Sequence, residues 1–368
     1  MDFLKITRTH IFHYRLPLDQ PIRVHGHELQ MREGLIIQIL NETDVSGFGE
    51  VAPLPGLSQE NFTNAQQQTL MIKTKLKNVP VPQSIEQLNG TFESWLGQYH
   101  LYPSVRFGIE MAALNLLANS REINLCQLLS TTYQDKILVN GLLQGPKSVV
   151  LSQAKELLNQ HFKSIKIKVE GKDVQQDIDK VRSVVKLIDA QALLRVDANQ
   201  CWDLATATLF GKGIGCAAIE YIEEPFADID KISQFYDETL IPVAVDETLS
   251  NSDFNRIKSI DGIEIFILKP TILGGIEKTW QLAQQAKKFG IEVVISSSFE
   301  SGIGLTTLAH LAACLCKNTA VGLDTRKYFK KDLLLNNKLP ISDGKIDITK
   351  THFDMNDINK KLWTEIKK

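Results

Sequence analysis

No stretch of this sequence stays apolar for the roughly 18 residues a membrane-spanning helix needs. Met1 to Arg15 mixes charged, polar and apolar residues where a secretory leader would have a basic start and an apolar run. Neither a membrane partner nor export is expected, and a cytoplasmic protein is. Charge of one sign is missing too: Lys plus Arg number 41 and Asp plus Glu 43, for a net charge of -2. No block of like charge forms a stripe for a polyanion, so nucleic acid is not an expected partner. The five cysteines, Cys126, Cys201, Cys216, Cys314 and Cys316, are odd in number and scattered, which argues against a disulfide framework and for a reducing compartment. His310 and Cys314 stand four apart with Cys316 nearby. A zinc site needs three or four converging donors, however, and Leu311, Ala312, Ala313 and Leu315 read as a buried helix face.

What is present is an ordinary globular composition, 43% hydrophobic and 23% charged, in a chain of 368 residues. That exceeds one compact domain, and the exception that fits is an α/β barrel with a further unit attached. Residues 1–133 read as an α+β unit, with an alternating apolar stretch Gly34 to Leu40 and helical stretches around 59–76, 84–98 and 104–120. From 134 to 325 short apolar strands alternate with helix-length segments. The strands are expected at 136–142, 164–169, 193–198, 219–223, 241–246, 263–269, 292–297 and 319–324. Eight such units favour a closed parallel barrel over an open sheet. The polar tail, 326–368, is too long for a frayed end and is expected to pack back on the first unit. Two glycine-rich runs imitate phosphate loops without qualifying. Gly141 to Ser148 has too few residues between its glycines and Pro146 before Lys147, and Gly211 to Gly215 has no strand before it.

Charged residues collect at the ends of the apolar strands, the end that in a barrel faces the active site. Asp197, Glu223 and Asp246 close three consecutive strands at separations of 26 and 23 residues, which would bring three carboxylates together. Like charges that close need a cation, and three oxygen donors without His or Cys favour Mg²⁺. The bland alternative, solvated loop acids or helix caps, covers any one of them better than all three. Lys166 and Lys168 are two apart and so share one side of their strand, while Lys269 ends the strand diametrically opposite. Two lysines facing a third across a metal suit the making of a carbanion beside a carboxylate, whose second negative charge fixed cations must stabilise. Nearby cations and desolvation would lower a lysine towards the neutral form that a base requires.

Taken in strand order, Lys166-x-Lys168, Asp197-x-Asn199, Glu223-Glu224-Pro225, Asp246-Glu247 and Lys269-Pro270 resemble the muconate-lactonising branch of the enolase superfamily. Gly47-Phe-Gly49-Glu50-Val-Ala-Pro53-Leu-Pro55-Gly56 and Ser104-Val-Arg106-Phe-Gly108-Ile-Glu110 are similar to its capping domain. The resemblance implies a modified TIM barrel, (β/α)7β, with an α+β enolase-type capping domain at 1–133, the barrel at 134–325 and a returning C-terminal segment at 326–368. Ser296-Ser297-Ser298-Phe299-Glu300-Ser301-Gly302-Ile-Gly304 and Gly322-Leu-Asp324-Thr325 resemble the o-succinylbenzoate synthase family within that branch. By that likeness the substrate is the small carboxylate 2-succinyl-6-hydroxy-2,4-cyclohexadiene-1-carboxylate, dehydrated to 2-succinylbenzoate in menaquinone or phylloquinone biosynthesis. Lys168 would remove the proton, Lys269 would sit over the opposite ring face and Lys166 would support both. Asp197, Glu223 and Asp246 would hold Mg²⁺, with Mn²⁺ as a substitute, and Asn199, Ser297, Ser298, Ser301 and Gly302 would bind substrate.

The Ser301-Gly302 turn has its own physical reading: small residues at a helix start expose amides that suit the distal carboxylate, or else form a plain capped turn. Arg23 to Arg32 reads either as a lid or as a surface loop. The rival activities are N-succinylamino acid racemisation and dipeptide epimerisation, which opposed lysines also permit, although Asp324-Thr-Arg326 lacks the second acid expected around a substrate ammonium. A Schiff-base lysine would leave the carboxylates unexplained. Oligomeric state is not legible.

Overall fold

Alternating apolar residues at the N-terminus build a long hairpin, the first part of a computed structural model that describes residues 4–83, 85, 88–251 and 253–367. β1 (Arg8–Val24) pairs antiparallel with β2 (His27–Leu40), and β3 (Ser46–Val51) pairs with β2. α1 (Phe62–Lys75), α2 (Thr91–Leu96), α3 (Pro103–Ser120) and α4 (Leu125–Leu129) follow. The helix expected over 84–98 lies partly outside the described residues and within them is helical from Thr91. α3 presses onto β3 so closely that a Cβ at Gly49 would stand 1.8 Å from the Gly108 carbonyl oxygen. Only glycine permits that approach, which is why both motif glycines are needed.

The expected first barrel strand splits in two. β4 (Lys136–Leu138) leaves the barrel, and β5 (Gly141–Leu143) begins the ring. There follow α5 (Lys147–Asn159), β6 (Ser164–Lys168), α6 (Val174–Ile188), β7 (Leu193–Asp197), α7 (Leu204–Ile214) and β8 (Ile219–Glu223). Next come α8 (Ile232–Thr239), β9 (Val243–Val245), α9 (Glu247–Asn251), α10 (Phe254–Ile257), β10 (Ile263–Leu268) and α11 (Pro270–Leu273). α12 (Ile276–Lys288), β11 (Glu292–Ile295) and α13 (Gly302–Leu315) complete the series. β5 to β11 form one parallel sheet in sequence order. The expected eighth strand is reduced to two bridged residues: Val321 pairs with Val139 and Gly322 with Ser296, both parallel. Hydrogen bonds on either side, Asn140 N to Val321 O at 3.0 Å and Ser297 N to Gly322 O at 3.1 Å, close the ring. A Cβ at Gly322 would lie 2.5 Å from Ser296 Oγ, so a larger residue there would push the Ser296 side chain aside. The result is the (β/α)7β barrel with its capping sheet.

After the barrel, β12 (Ile341–Ser342) and β13 (Lys345–Asp347) form an antiparallel sheet with β4. β14 (Trp363–Glu365) joins the outer edge of β1, where Trp363 stacks on Phe12 with ring centroids 4.1 Å apart.

Buried acidic and basic side chains hold the capping unit on the barrel. Glu50 of β3, 1% exposed, accepts from Ser301 N (2.8 Å), Ser301 Oγ (2.7 Å), Gly304 N (2.9 Å) and Tyr14 Oη (2.5 Å). It thus caps the start of α13 from another unit, where the helix presents amides with no partner of their own. Arg32 of β2, 2% exposed, donates to the carbonyls of Ala52, Pro53, Ser298 and Phe299. That ties the loop after β3 to the loop after β11. At α12, Glu110 accepts from Glu277 N (2.9 Å), while the Glu277 carboxylate accepts from Phe92 N and Glu93 N at the start of α2. Arg106 lies against Glu93, Glu110 and Glu277.

Candidate active site

Side chains two apart on a strand share a face, and the register of the parallel sheet arranges the inward ones in rows. Lys166, Arg195 and Tyr221 occupy one row. Lys168, Asp197 and Glu223 occupy the next row towards the C-terminal mouth, beside Ala244. Ile165, Ile167, Leu194, Val196 and Ile222 point the other way, into the main core under the helices. Tyr221, Ala244, Ile265, Ile267 and Val294 form a separate apolar cluster inside the barrel. Below it Arg195, with no exposure, makes a two-pronged contact with Glu220 at 2.8 and 2.9 Å and donates to Ala320 O at 2.6 Å.

The charged mouth is a set of short contacts. Lys166 Nζ reaches both Glu223 oxygens, at 2.8 and 2.7 Å, and Asp197 Oδ2 at 2.9 Å. Lys168 Nζ donates to Asn199 Oδ1 at 3.0 Å and lies 3.5 Å from Asp197 Oδ2. Lys269 Nζ is paired with Asp246. Burial opposes the ammonium of Lys166, but Asp197 and Glu223 outweigh it and push its pKa well above the ordinary lysine range. Lys269 is raised in the same way, burial being overcome by Asp246 and Glu247. These two lysines are held as cations by the carboxylates around them. Burial followed by the charge of Asp197 pushes Glu223 up to about 8. Asp197 is held below the carboxylate range because Lys166 and Lys168 overcome its burial. Burial raises Asp246. Glu224 sets the backbone here: its carboxylate accepts from Asp246 N (2.7 Å), Thr248 N (2.9 Å) and Thr248 Oγ1 (2.8 Å), anchoring the turn that carries Asp246.

A cavity of about 220 Å³ opens over this mouth. Lys166, Lys168, Lys269, Asp197, Glu223, Asn199 and Ser297 line it. The capping unit contributes Arg23, Val24 and His25 from the hairpin tip with Leu54 and Leu57 from the loop after β3. Asp246 is buried at the edge of the cluster and does not line the cavity. The hairpin tip thus covers the mouth, whereas Arg32, expected in the same mobile stretch, is locked in the seam.

Ser298, Ser301 and Gly302 do not line the cavity. The amide of Ser301 is held by Glu50, that of Gly302 by Asp332 Oδ1 at 2.8 Å and that of Ser298 by Glu300 at 2.6 Å, so the α13 amides have protein acceptors already. The positions that do face the cavity from this side are Ser296, Ser297, Gly322 and Thr325, with Ser297 Oγ 2.7 Å from Thr325 Oγ1. Glu247 was readable only as the second acid of Asp246-Glu247, and His25 only as part of the Arg23 to Arg32 stretch; the pairing of the two, across more than two hundred residues, gave no local signal.

Among the described residues no three His, Cys, Asp or Glu side chains are drawn together at ligating distance around one point. The oxygens of Asp197, Glu223 and Asp246 are turned instead onto Lys166 and Lys269. The donor set nevertheless fits a hard divalent cation: three buried carboxylates on adjacent strand ends, without nitrogen or sulfur. With Glu247, four carboxylates meet three lysines here. The zinc grouping dissolves: His310 Nε2 pairs with Thr351 Oγ1 at 3.0 Å, and Cys314 Sγ donates to Cys126 O.

Comparison with known proteins agrees with this geometry. The model of the MenC N-terminal domain matches residues 6–116, and that of enolase C-terminal domain-like proteins matches residues 149–352. The o-succinylbenzoate synthase of Aliivibrio salmonicida (strain LFI1238) is 33% identical over 331 residues, 88% of this chain and 91% of that protein. Among solved structures, the N-succinyl Arg/Lys racemase from Bacillus cereus superposes with a TM-score of 0.86 at 21% identity, over 99% of this chain and 100% of that one. The dipeptide epimerase from Enterococcus faecalis V583, complexed with Mg and the dipeptide L-Leu-L-Tyr, gives 0.84 at 20% identity over 94% and 97%.

Proposed function

We infer the reaction from one premise: the chain belongs to the o-succinylbenzoate synthase family of the enolase superfamily. It is a hydro-lyase that dehydrates 2-succinyl-6-hydroxy-2,4-cyclohexadiene-1-carboxylate to 2-succinylbenzoate, a step of menaquinone or phylloquinone biosynthesis. The observation that carries this for the chain itself is Lys168 and Lys269 entering one cavity from opposed walls, beside the carboxylates that end β7, β8 and β9.

Lys168 is the proton acceptor. Its side chain is 37% exposed where Lys166 and Lys269 are 14% and 15% exposed, so it has the freedom to meet a substrate carbon. Lys166 and Lys269, fixed as ammonium groups, stabilise the enediolate as the second negative charge develops. Lys168, once protonated, returns the proton to the departing hydroxide, and aromatisation carries the elimination forward. The cap's Leu54 and Leu57 exclude water and strengthen these charges. Asp197, Glu223 and Asp246 would hold Mg²⁺, which supplies a fixed double positive charge for the substrate carboxylate. Mn²⁺, with the same preference for oxygen, is expected to substitute. The substrate's other carboxylate belongs near Ser296, Ser297 and Thr325. Domain limits of 1–133, 134–325 and 326–368 and a cytoplasmic location are part of the proposal, the latter supported by five unpaired cysteines.

The opposed lysines also favour proton exchange on both faces of an N-succinylamino acid as a second activity. A dipeptide is less suited, because Asp324 is already paired with Lys327 and Arg326 with Asp332. Loss of cyclohexadiene ultraviolet absorbance tests the main reading. Turnover that disappears on chelation supports it, and a folded, Mg²⁺-loaded protein that leaves the absorbance unchanged refutes it.

A further inference from the structure

The β1–β2 hairpin ends in a two-residue turn, His25-Gly26, closed by the pair Val24↔His27. Both turn residues have positive φ, 42° and 82°, the mirror-image turn that suits a twisted two-stranded ribbon. The tip rests on the loop after β3: a Cβ at Gly56 would stand 2.7 Å from Val24 O and 2.9 Å from His27 Cδ2. His25 is thereby held over the mouth of the barrel with Nε2 2.9 Å from Glu247 Oε1. A carboxylate only accepts, so His25 donates through Nε2.

The same Glu247 oxygen accepts from Asn199 Nδ2 at 3.2 Å, and Asn199 Oδ1 accepts from Lys168 Nζ at 3.0 Å. A side-chain amide has a donor end and an acceptor end. With the donor end drawn to Glu247, the acceptor end must face Lys168. The Asn199 backbone is constrained as well, at φ 42° with its N–H donating to Asp197 Oδ1 at 3.2 Å. A continuous chain of hydrogen bonds therefore runs from the tip of the capping hairpin to the proton acceptor, and its outermost member is a histidine 32% exposed at the side chain.

We propose that His25 is a positioning residue: by closing on Glu247 it fixes the Asn199 amide, whose oxygen aims Lys168 Nζ into the cavity, so that hairpin closure and placement of the base are one event. The catalytic part rests on the assignment of Lys168 as the base. The hydrogen-bond relay does not. The test compares His25→Ala, which removes the donor, with His25→Gln, which restores one, in the Mg²⁺-loaded protein. Reductive methylation followed by mass spectrometry reads the reactivity of the Lys168 amine without substrate. Labelling should be several-fold faster in His25→Ala and of wild-type rate in His25→Gln. In the dehydration assay kcat should fall on the order of tenfold in His25→Ala with KM little changed, as misplacement of a reacting group requires, and recover in His25→Gln. A larger primary deuterium isotope effect at the abstracted carbon should accompany the fall. Unchanged Lys168 labelling in His25→Ala, or a His25→Gln variant indistinguishable from His25→Ala, overturns the proposal. If wild-type protein fails to dehydrate the cyclohexadiene, the functional reading falls, and the labelling arm still decides the relay.

Discussion

Two regions of this molecule bury acidic and basic side chains and use them in opposite ways. In the seam, Glu50 and Arg32 are met by backbone amides, carbonyls and hydroxyls that cannot leave. In the mouth, Asp197, Glu223 and Asp246 are met by lysine side chains, which can. A buried charge satisfied by backbone is architecture. A buried charge satisfied by another mobile charge is an exchangeable site.

The contrast is sharpest if one carboxylate is neutralised in each region. Glu223→Gln should lower kcat/KM by about 10²- to 10³-fold, while urea unfolding shows stability little changed, since Asp197 still pairs Lys166 at 2.9 Å. Stability that falls together with activity would place Glu223 with the seam. Glu50→Gln should do the reverse, costing roughly 3 kcal/mol of stability, because an amide presents donors to the Ser301 and Gly304 N–H groups. At temperatures where it remains folded, its kcat should stay close to wild type. Arg32→Met should be milder, about 2 kcal/mol by the same unfolding measurement, and should raise KM because the loop carrying Leu54 is no longer tied to the loop carrying Ser297.

These contrasts also explain what could and could not be read from the chain. The strand ends Asp197, Glu223, Asp246 and Lys269 were legible because inward polar residues interrupt apolar strands at regular intervals. Arg32 and Glu50 were not, since their partners lie some 250 residues further on. Ser301 and Gly302 looked like a carboxylate cradle for the same reason: a helix start advertises free amides, and nothing local says that Glu50 and Asp332 already fill them. The first barrel strand reads as continuous over 136–142, but pairing with β13 draws its first half out of the ring.

An effect confined to acid pH lies away from both regions. Burial lowers His310 to about 4, so it stays neutral in the folded protein while the unfolded chain, at its ordinary 6.5, takes up a proton. Between those values the unfolded state binds more protons, and stability therefore rises with pH. The displacement corresponds to at most on the order of 3 kcal/mol. His310→Gln should flatten urea-unfolding stability between pH 4 and 6.5, and an acid limb of unchanged slope would assign the sensitivity elsewhere.

The central claim is that the mouth performs a metal-assisted dehydration with Lys168 as base. Its most direct test follows cyclohexadiene absorbance in Mg²⁺-loaded wild type, in the same protein after chelation, and in Lys168→Ala. The account expects turnover in the first, loss and recovery with chelation and added Mg²⁺ in the second, and a fall of about 10⁴-fold in a folded third. Turnover that survives chelation or persists in Lys168→Ala would contradict it.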